Sequence, residues 1–291
     1  MEICNQDPDE IIPQILLNLP CAIWWIDQDH KYIGCNIECC GLGGLHPQKI
    51  LGRTILEIAQ NRDGHWPKAL TEEIYNAEGH VLQTGDPESK VIHAFPPNPG
   101  EKPLYQLCNK VPLFDLKRTI ILGMIGVGIL ERQYNYPFKE KLENLNPNEF
   151  IIKNHPKIKF GWSEMFHMLP CSIWWIDKDH KYRGCNLEYC RTLGIYSQME
   201  LVGKTILDVA KIKKWPAGRA ENIVTLDTSC MLSSGVTYNI ENVVYQGNKM
   251  PSIRQIVAKK TLLDKNGKVD GLLCVAVYNG QFGEKSKWSI M

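Results

Sequence analysis

The sequence predicts an α+β fold built twice: two tandem domains, each a five-stranded antiparallel sheet with short helices on one face. Three observations carry this. A long internal repeat divides the chain. Each copy contains two short β-branched and aromatic runs, and later three longer ones, separated by turn residues. Helix-start signals fall between the second run and the third.

The repeat is plain where Leu19–Cys40, LPCAIWWIDQDHKYIGCNIECC, meets Leu169–Cys190, LPCSIWWIDKDHKYRGCNLEYC, with 17 of 22 positions identical at an offset of 150 residues. Gly52-Arg-Thr-Ile-Leu answers Gly203-Lys-Thr-Ile-Leu, Trp66-Pro67 answers Trp215-Pro216, and Leu113-Phe-Asp answers Leu262-Leu-Asp. That period is far above solenoid repeats, so each copy is a whole domain. The expected limits are 1–132 for the first domain with a leading helix, 133–157 for a linker rich in Pro, Asn and Lys, and 158–291 for the second domain with its own leading helix.

Taken in order, the leading segments Glu10–Asn18 and Phe160–Met168 read as helices. In the first, Ile11, Ile12, Ile15, Leu16 and Leu19 share one apolar face, and a stripe that wide needs a cover. Ile23–Asp27 and Lys31–Cys35 form a hairpin. Asn36 and Asn186 can cap the short helix that follows. Thr54 with Glu57, and less ideally Thr205 with Asp208, has capping-box spacing, so a further helix begins at Ile55. Trp66-Pro67 opens a longer helix ending near Gly85, matched by Pro216 to Gly235. Three strands finish each copy: Ser89–Phe95, Leu104–Phe114 and Thr119–Leu130, then Val236–Tyr245, Ser252–Leu263 and Val269–Tyr278. A helical turn at Lys139–Leu145 is expected in the linker.

Composition narrows the function classes. Lys+Arg at 33 against Asp+Glu at 32 gives a net charge of +1, which lacks the basic footprint of a nucleic-acid binder. The longest apolar run, Ile120–Leu130, is too short to span a bilayer. The N-terminus MEICNQDPDE lacks the basic-then-apolar layout of a signal peptide, so a cytoplasmic setting is expected, with no membrane partner. In that setting the 11 cysteines read as reduced, buried small hydrophobes. Cys35, Cys39, Cys40 and Cys185, Cys190 lack paired zinc-type spacing and differ between the copies, so no metal is expected.

The ordered motifs Leu-Pro-Cys-x-Ile-Trp-Trp-Ile-Asp (19–27, 169–177), Gly-Cys-Asn (34–36, 184–186) and Gly-[Arg/Lys]-Thr (52–54, 203–205), with Lys110-Val-Pro-Leu113 and Gly123–Gly128, resemble the PAS domain. The likeness is strongest to the variety at the N-terminal sensory end of bacterial histidine kinases of two-component systems. It implies a cavity between sheet and helices that in the family holds a metabolite, flavin, haem or nothing, so no cofactor is assigned. Ile55 and Ile206 stand where photochemical flavin relatives carry a reactive Cys, which excludes that chemistry. His80 is a weak haem-ligand candidate and reads better as a surface residue. The two copies end with Ile129-Leu130-Glu131 and Val277-Tyr278-Asn279 in place of the family's Asp-Ile-Thr relay.

On that resemblance the expected ligand-binding residues are Trp25, Trp66, Tyr105 and Cys108 in the first copy and Trp175, Trp215 and Arg254 in the second. Trp25 is taken as the inward member of its pair; the plainer reading of any one Trp is core packing. Arg254 points either inward, to an acidic ligand, or outward into solvent. No catalytic residues are expected: His30 and His180 sit in polar hairpin turns without a nucleophile. The expected function is a non-enzymatic signal sensor that binds a small molecule and relays its state to an effector or kinase. Two alternatives are a ligand-free dimerisation scaffold and the sensor part of a longer kinase. A homodimer through Ile12, Leu16 and the outward Trp is also expected.

Overall fold

The computed structural model describes residues 8–43, 45–60, 67–95, 104–115, 119–130, 146–151, 162–233, 235–243 and 253–278. The chain forms two compact units, one spanning Leu16–Gly161 and the other Trp162–Tyr278; the second also takes in the N-terminal residues through Ile15.

The chain opens with helix α1 (Pro8–Asn18), and the first unit continues with β1 (Ala22–Asp27), β2 (Tyr32–Cys35), α2 (Ile37–Gly43), α3 (Pro47–Ile50), α4 (Ile55–Gln60), α5 (Lys68–Thr84), β3 (Glu88–Phe95), β4 (Leu104–Phe114) and β5 (Ile121–Leu130). The second repeats the plan with α6 (Trp162–Met168), β6 (Ser172–Asp177), β7 (Tyr182–Cys185), α7 (Leu187–Leu193), α8 (Ile206–Lys213), α9 (Arg219–Ser233), β8 (Val236–Val243), β9 (Ile253–Leu263) and β10 (Val269–Tyr278). Both sheets are antiparallel and five-stranded, in the orders β2-β1-β5-β4-β3 and β7-β6-β10-β9-β8. The expected α+β class and strand set are therefore present in both copies.

Local chemistry explains the elements. Asp27 Oδ1 accepts from the amides of Asp29 and Lys31, and Asp177 does the same with Asp179 and Lys181. This side-chain turn closes each hairpin. Asn36 is fully buried. Its Oδ1 accepts from Ile23 N and Cys39 N, while its Nδ2 donates to the carbonyls of Leu16 and Cys21. One side chain thus ties the leading helix, β1 and α2 together, and Asn186 repeats the pattern with Ile173, Tyr189, Phe166 and Cys171. Thr54 with Glu57 and Thr205 with Asp208 both form reciprocal capping boxes.

Several details differ from the sequence reading. Pro67 is the N-cap of α5 rather than its first helical residue, and α9 starts at Arg219, three residues past Pro216. Helix α3 was not anticipated. Phe150, placed by the sequence in the linker, is fully buried in the first core, and Ile151 bridges to Gly34 on β2. The expected turn at Lys139–Leu145 lies outside the described residues. In the single chain Ile12 and Leu16 are 3% and 0% exposed, and Trp24, the member of its pair expected to face outward, is 5% exposed. Among the described residues, no helix is long and apolar enough to cross a membrane.

Candidate functional site

Within each unit the helices that follow the first hairpin cover one face of the sheet, and strand alternation decides which side chains enter that layer. On β1 these are Ala22, Trp24 and Ile26, all members of the first core cluster. Trp25 points to the other face, where its ring lies against Gly34 of the neighbouring strand. The second copy agrees: Trp174 is in the core cluster, while Trp175 packs edge-on against Phe166 of the leading helix α6. The inward member of each pair is thus Trp24 and Trp174, one residue before the expected Trp25 and Trp175.

The first interior holds a chain of polar groups. Trp24 Nε1 donates to Glu78 Oε1 at 3.2 Å. Glu78, midway along α5, is 0% exposed. Burial, against the opposing pull of Lys110 and the Trp24 hydrogen bond, raises its carboxyl to about 7. Lys110, on β4, is also fully buried, and its Nζ donates to His93 Nε2 at 3.3 Å. Burial, reinforced by the Lys110 charge, holds His93 down to about 3. It is therefore neutral, and the 3.1 Å contact of its Nδ1 with Glu73 Oε1 is a hydrogen bond from a neutral ring rather than an ion pair. Cys108 Sγ donates to Gln106 Oε1 at 3.2 Å, and burial pushes that thiol up to about 12. Two buried atoms in this cluster have no hydrogen-bond partner among the described residues: Glu78 Oε2 and Gln106 Nε2. Leaving such groups unmet costs about 1–3 kcal/mol each.

Glycines shape the cluster. Gly126 lies opposite Trp24 across the β1–β5 pairing, and a Cβ there would come within 2.2 Å of the indole. A Cβ at Gly128 would come within 2.4 Å of the Gln106 amide. The bare backbone lets both side chains lie flat over the sheet.

The second interior is arranged differently with the same framework. Cys274 takes the position opposite Trp174. Trp174 instead stacks on Tyr189 at 4.4 Å, and the Tyr189 and Tyr182 hydroxyls meet at 2.7 Å. Lys259 Nζ closes a 2.8 Å ion pair with Asp227 Oδ1, both side chains being buried. By repeat register Lys259 matches Lys110 and Asp227 matches Glu78.

The expected site residues are only partly brought together. Cys108 lies at the centre of the first cluster. Tyr105 is 44% exposed, out of phase with Gln106 and Cys108 on the same strand. Trp66 lies outside the described residues. Trp215 packs at the edge of the second core with the Arg219 guanidinium 4.5 Å from its ring centre. Arg254 stands opposite Asn242 in the β9–β8 register, and its side chain lies outside the described residues. The cysteine groups form thiol contacts, Cys35 to Cys40 at 3.4 Å and Cys185 to Cys190 at 3.5 Å. His80 is exposed. His30 is more than a turn former, since its ring stacks on Tyr75 of α5 at 4.1 Å.

Trp24, Glu78, His93, Gln106 and Lys110 were missed. A signal existed: an acid on the long helix and a lysine on the fourth strand recur at matching positions of both copies, and Lys110 shares the phase of Cys108.

A PAS fold family model matches residues 16–132. No curated protein matches the chain. Among solved structures, the PAS domain of Bordetella pertussis BvgS is 18% identical over 40% of this chain and 81% of that one, with a TM-score of 0.34. The Vibrio cholerae VqmA dimer is 16% identical over 40% of this chain, with a TM-score of 0.34; the match spans 49% of that protein, about half its length. A sensory box sensor histidine kinase from Vibrio cholerae is 13% identical over 40% and 88%, with a TM-score of 0.30. The PAS fold family model thus matches the first copy, and the second copy repeats its strand order and hairpin sequence.

Proposed function

We propose that this chain is a non-enzymatic signal sensor whose first domain binds a small molecule and whose second domain is closed. The PAS fold supports the sensing role. One observation carries the division of labour: the first interior leaves Glu78 Oε2 and Gln106 Nε2 unmet, while the matching acid of the second is locked to Lys259. A ligand whose hydroxyl or amide pairs with the Glu78 carboxyl and offers an acceptor to Gln106 relieves both penalties at once. The best match is a neutral molecule, because a cation would face Lys110 and an anion would face Glu78 whenever that carboxyl is ionised. The buried thiols and the neutral, doubly engaged His93 suit recognition better than nucleophilic chemistry.

The bound state would reach a protein partner, an effector or kinase, through the sheet that carries β1, β4 and β5. The scaffold reading applies to the second domain alone, on the strength of its closed ion pair and tyrosine stack. A native mass spectrum of freshly purified protein, taken with its absorption spectrum, tests the proposal. One bound small molecule per chain is expected. A chain that carries no added mass and gains no thermal stability from a library of neutral amides and alcohols overturns it.

A further inference from the structure

The two domains show one lysine in two settings. Lys110 and Lys259 occupy the same place on the fourth strand of their sheets, facing an acid at the same place on the long helix. Lys259 is closed on Asp227 at 2.8 Å. Lys110 is turned to His93 at 3.3 Å, and the acid it leaves, Glu78, keeps one oxygen bonded to Trp24 and the other unmet. Specific replacements separate the two settings. Gly126 admits the Trp24 indole toward Glu78, whereas Cys274 stands in that place in the second domain and Trp174 lies on Tyr189. The residue across the strand pairing is His93 opposite Gln106 in the first domain and Glu241 opposite Gln255 in the second.

We propose that Lys110 is a two-position switch, its ammonium held by His93 in one state and by Glu78 in the other, the second state being the pairing that Lys259 and Asp227 adopt. In the first state Glu78 carries its proton, and Lys110 donates to the unprotonated Nε2 of His93. In the second, Glu78 has released that proton to water, its carboxylate binds the ammonium, and His93 Nε2 loses its donor. Glu73, whose side chain is 56% exposed, joins His93 to solvent and anchors its Nδ1 in both states.

The groups facing Glu78 agree with a titration centred on it. They are Trp24 from β1, Tyr32 from β2, Cys39 from α2, and Cys108 and Lys110 from β4. Burial raises the Tyr32 and Cys108 groups above their usual values, and Cys39 is raised too, first by its hydrogen bond to Cys35 and then by burial, so they stay neutral. His93 is faced by Glu73 from α5 and by Lys110. The carboxyl and the ammonium are thus the charges that can trade partners.

The switch needs no ligand, so an empty first domain leaves it standing. Carboxyl and side-chain nitrogen NMR of the full chain against pH tests it, with the Glu78 signal assigned by its loss in Glu78→Gln. The Glu78 carboxyl and the Lys110 Nζ are expected to shift together, with one midpoint near 7. In His93→Phe, which removes the first position, the Glu78 midpoint is expected to fall by at least about one pH unit. In His93→Gln, whose amide oxygen still accepts, it should stay. A Glu78 midpoint in the ordinary carboxylate range, or one unaltered in His93→Phe, overturns the proposal. If His93→Phe does not fold, the wild-type chain decides alone: a Lys110 nitrogen that does not follow the Glu78 midpoint overturns it equally.

Discussion

An added methyl at Gly123 would stand 2.1 Å from the Ile26 carbonyl oxygen, and at Gly271 2.0 Å from that of Ile176. Both neighbours are backbone, so no rotamer change relieves the contact. Gly123→Ala and Gly271→Ala are each expected to cost about 1–3 kcal/mol, read as a lower urea midpoint for the unit concerned. At Gly126 the obstacle is the Trp24 ring, which can turn away. Gly126→Ala is therefore expected to break the bond to Glu78 with a smaller loss of stability.

Glu78 and His93 also set a pH dependence with opposite signs. The Glu78 carboxyl is raised from 4.5 to about 7 in the folded chain. The folded state then binds more protons than the unfolded one between those values, and stability falls as pH rises through that window. His93 is lowered from 6.5 to about 3. There the unfolded state binds more protons, and stability rises through that window. Each slope is at most about 1.4 kcal/mol per pH unit, so the two offset from about 4.5 to 6.5. Glu78→Gln removes the falling component. Its unfolding free energy is expected to climb steadily up to pH 6.5, where the wild type stays level. A variant as level as the wild type would contradict this assignment.

Among the elements, the asparagine at the head of the first short helix does more than cap it. Asn36 serves four backbone groups from a fully buried position. Thr205 serves one helix end near the surface. Thr205→Ala is expected to cost about 1 kcal/mol. Asn36→Ala and Asn186→Ala should each cost clearly more, because they strand several buried groups; matching urea midpoints for the three variants would contradict that. Such caps were readable in the sequence because they need only local spacing. Strands β4 and β10 were likewise placed to the residue by their β-branched runs and flanking turns. Helix α3 was not readable, since four residues carry no period. The phase of β1 was misread for a related reason. Every residue from Ala22 to Asp27 is buried, so both faces are covered and no polar alternation tells inward from outward. With both faces buried, the strand's own sequence does not separate Trp25 from Trp24. The buried acid and lysine were missed because each lies in a segment whose other residues read as ordinary helix or strand.

Over the whole molecule, duplication produced one scaffold with two interiors. In the second, the ion pair is the point of vulnerability. Lys259→Met leaves Asp227 without its cation and is expected to cost about 3–5 kcal/mol, whereas Lys259→Met with Asp227→Leu should recover most of that loss. Calorimetry that assigns the loss to the second unit would check it. The central claim is that the first interior binds a ligand and the second does not. Native mass spectrometry of two purified variants tests it most directly, Gln106→Leu for the first domain and Lys259→Met with Asp227→Leu for the second. Loss of the bound small molecule in the first variant, with full retention in the other, is the result predicted. Retention in Gln106→Leu, or loss only in the second-domain variant, would contradict it.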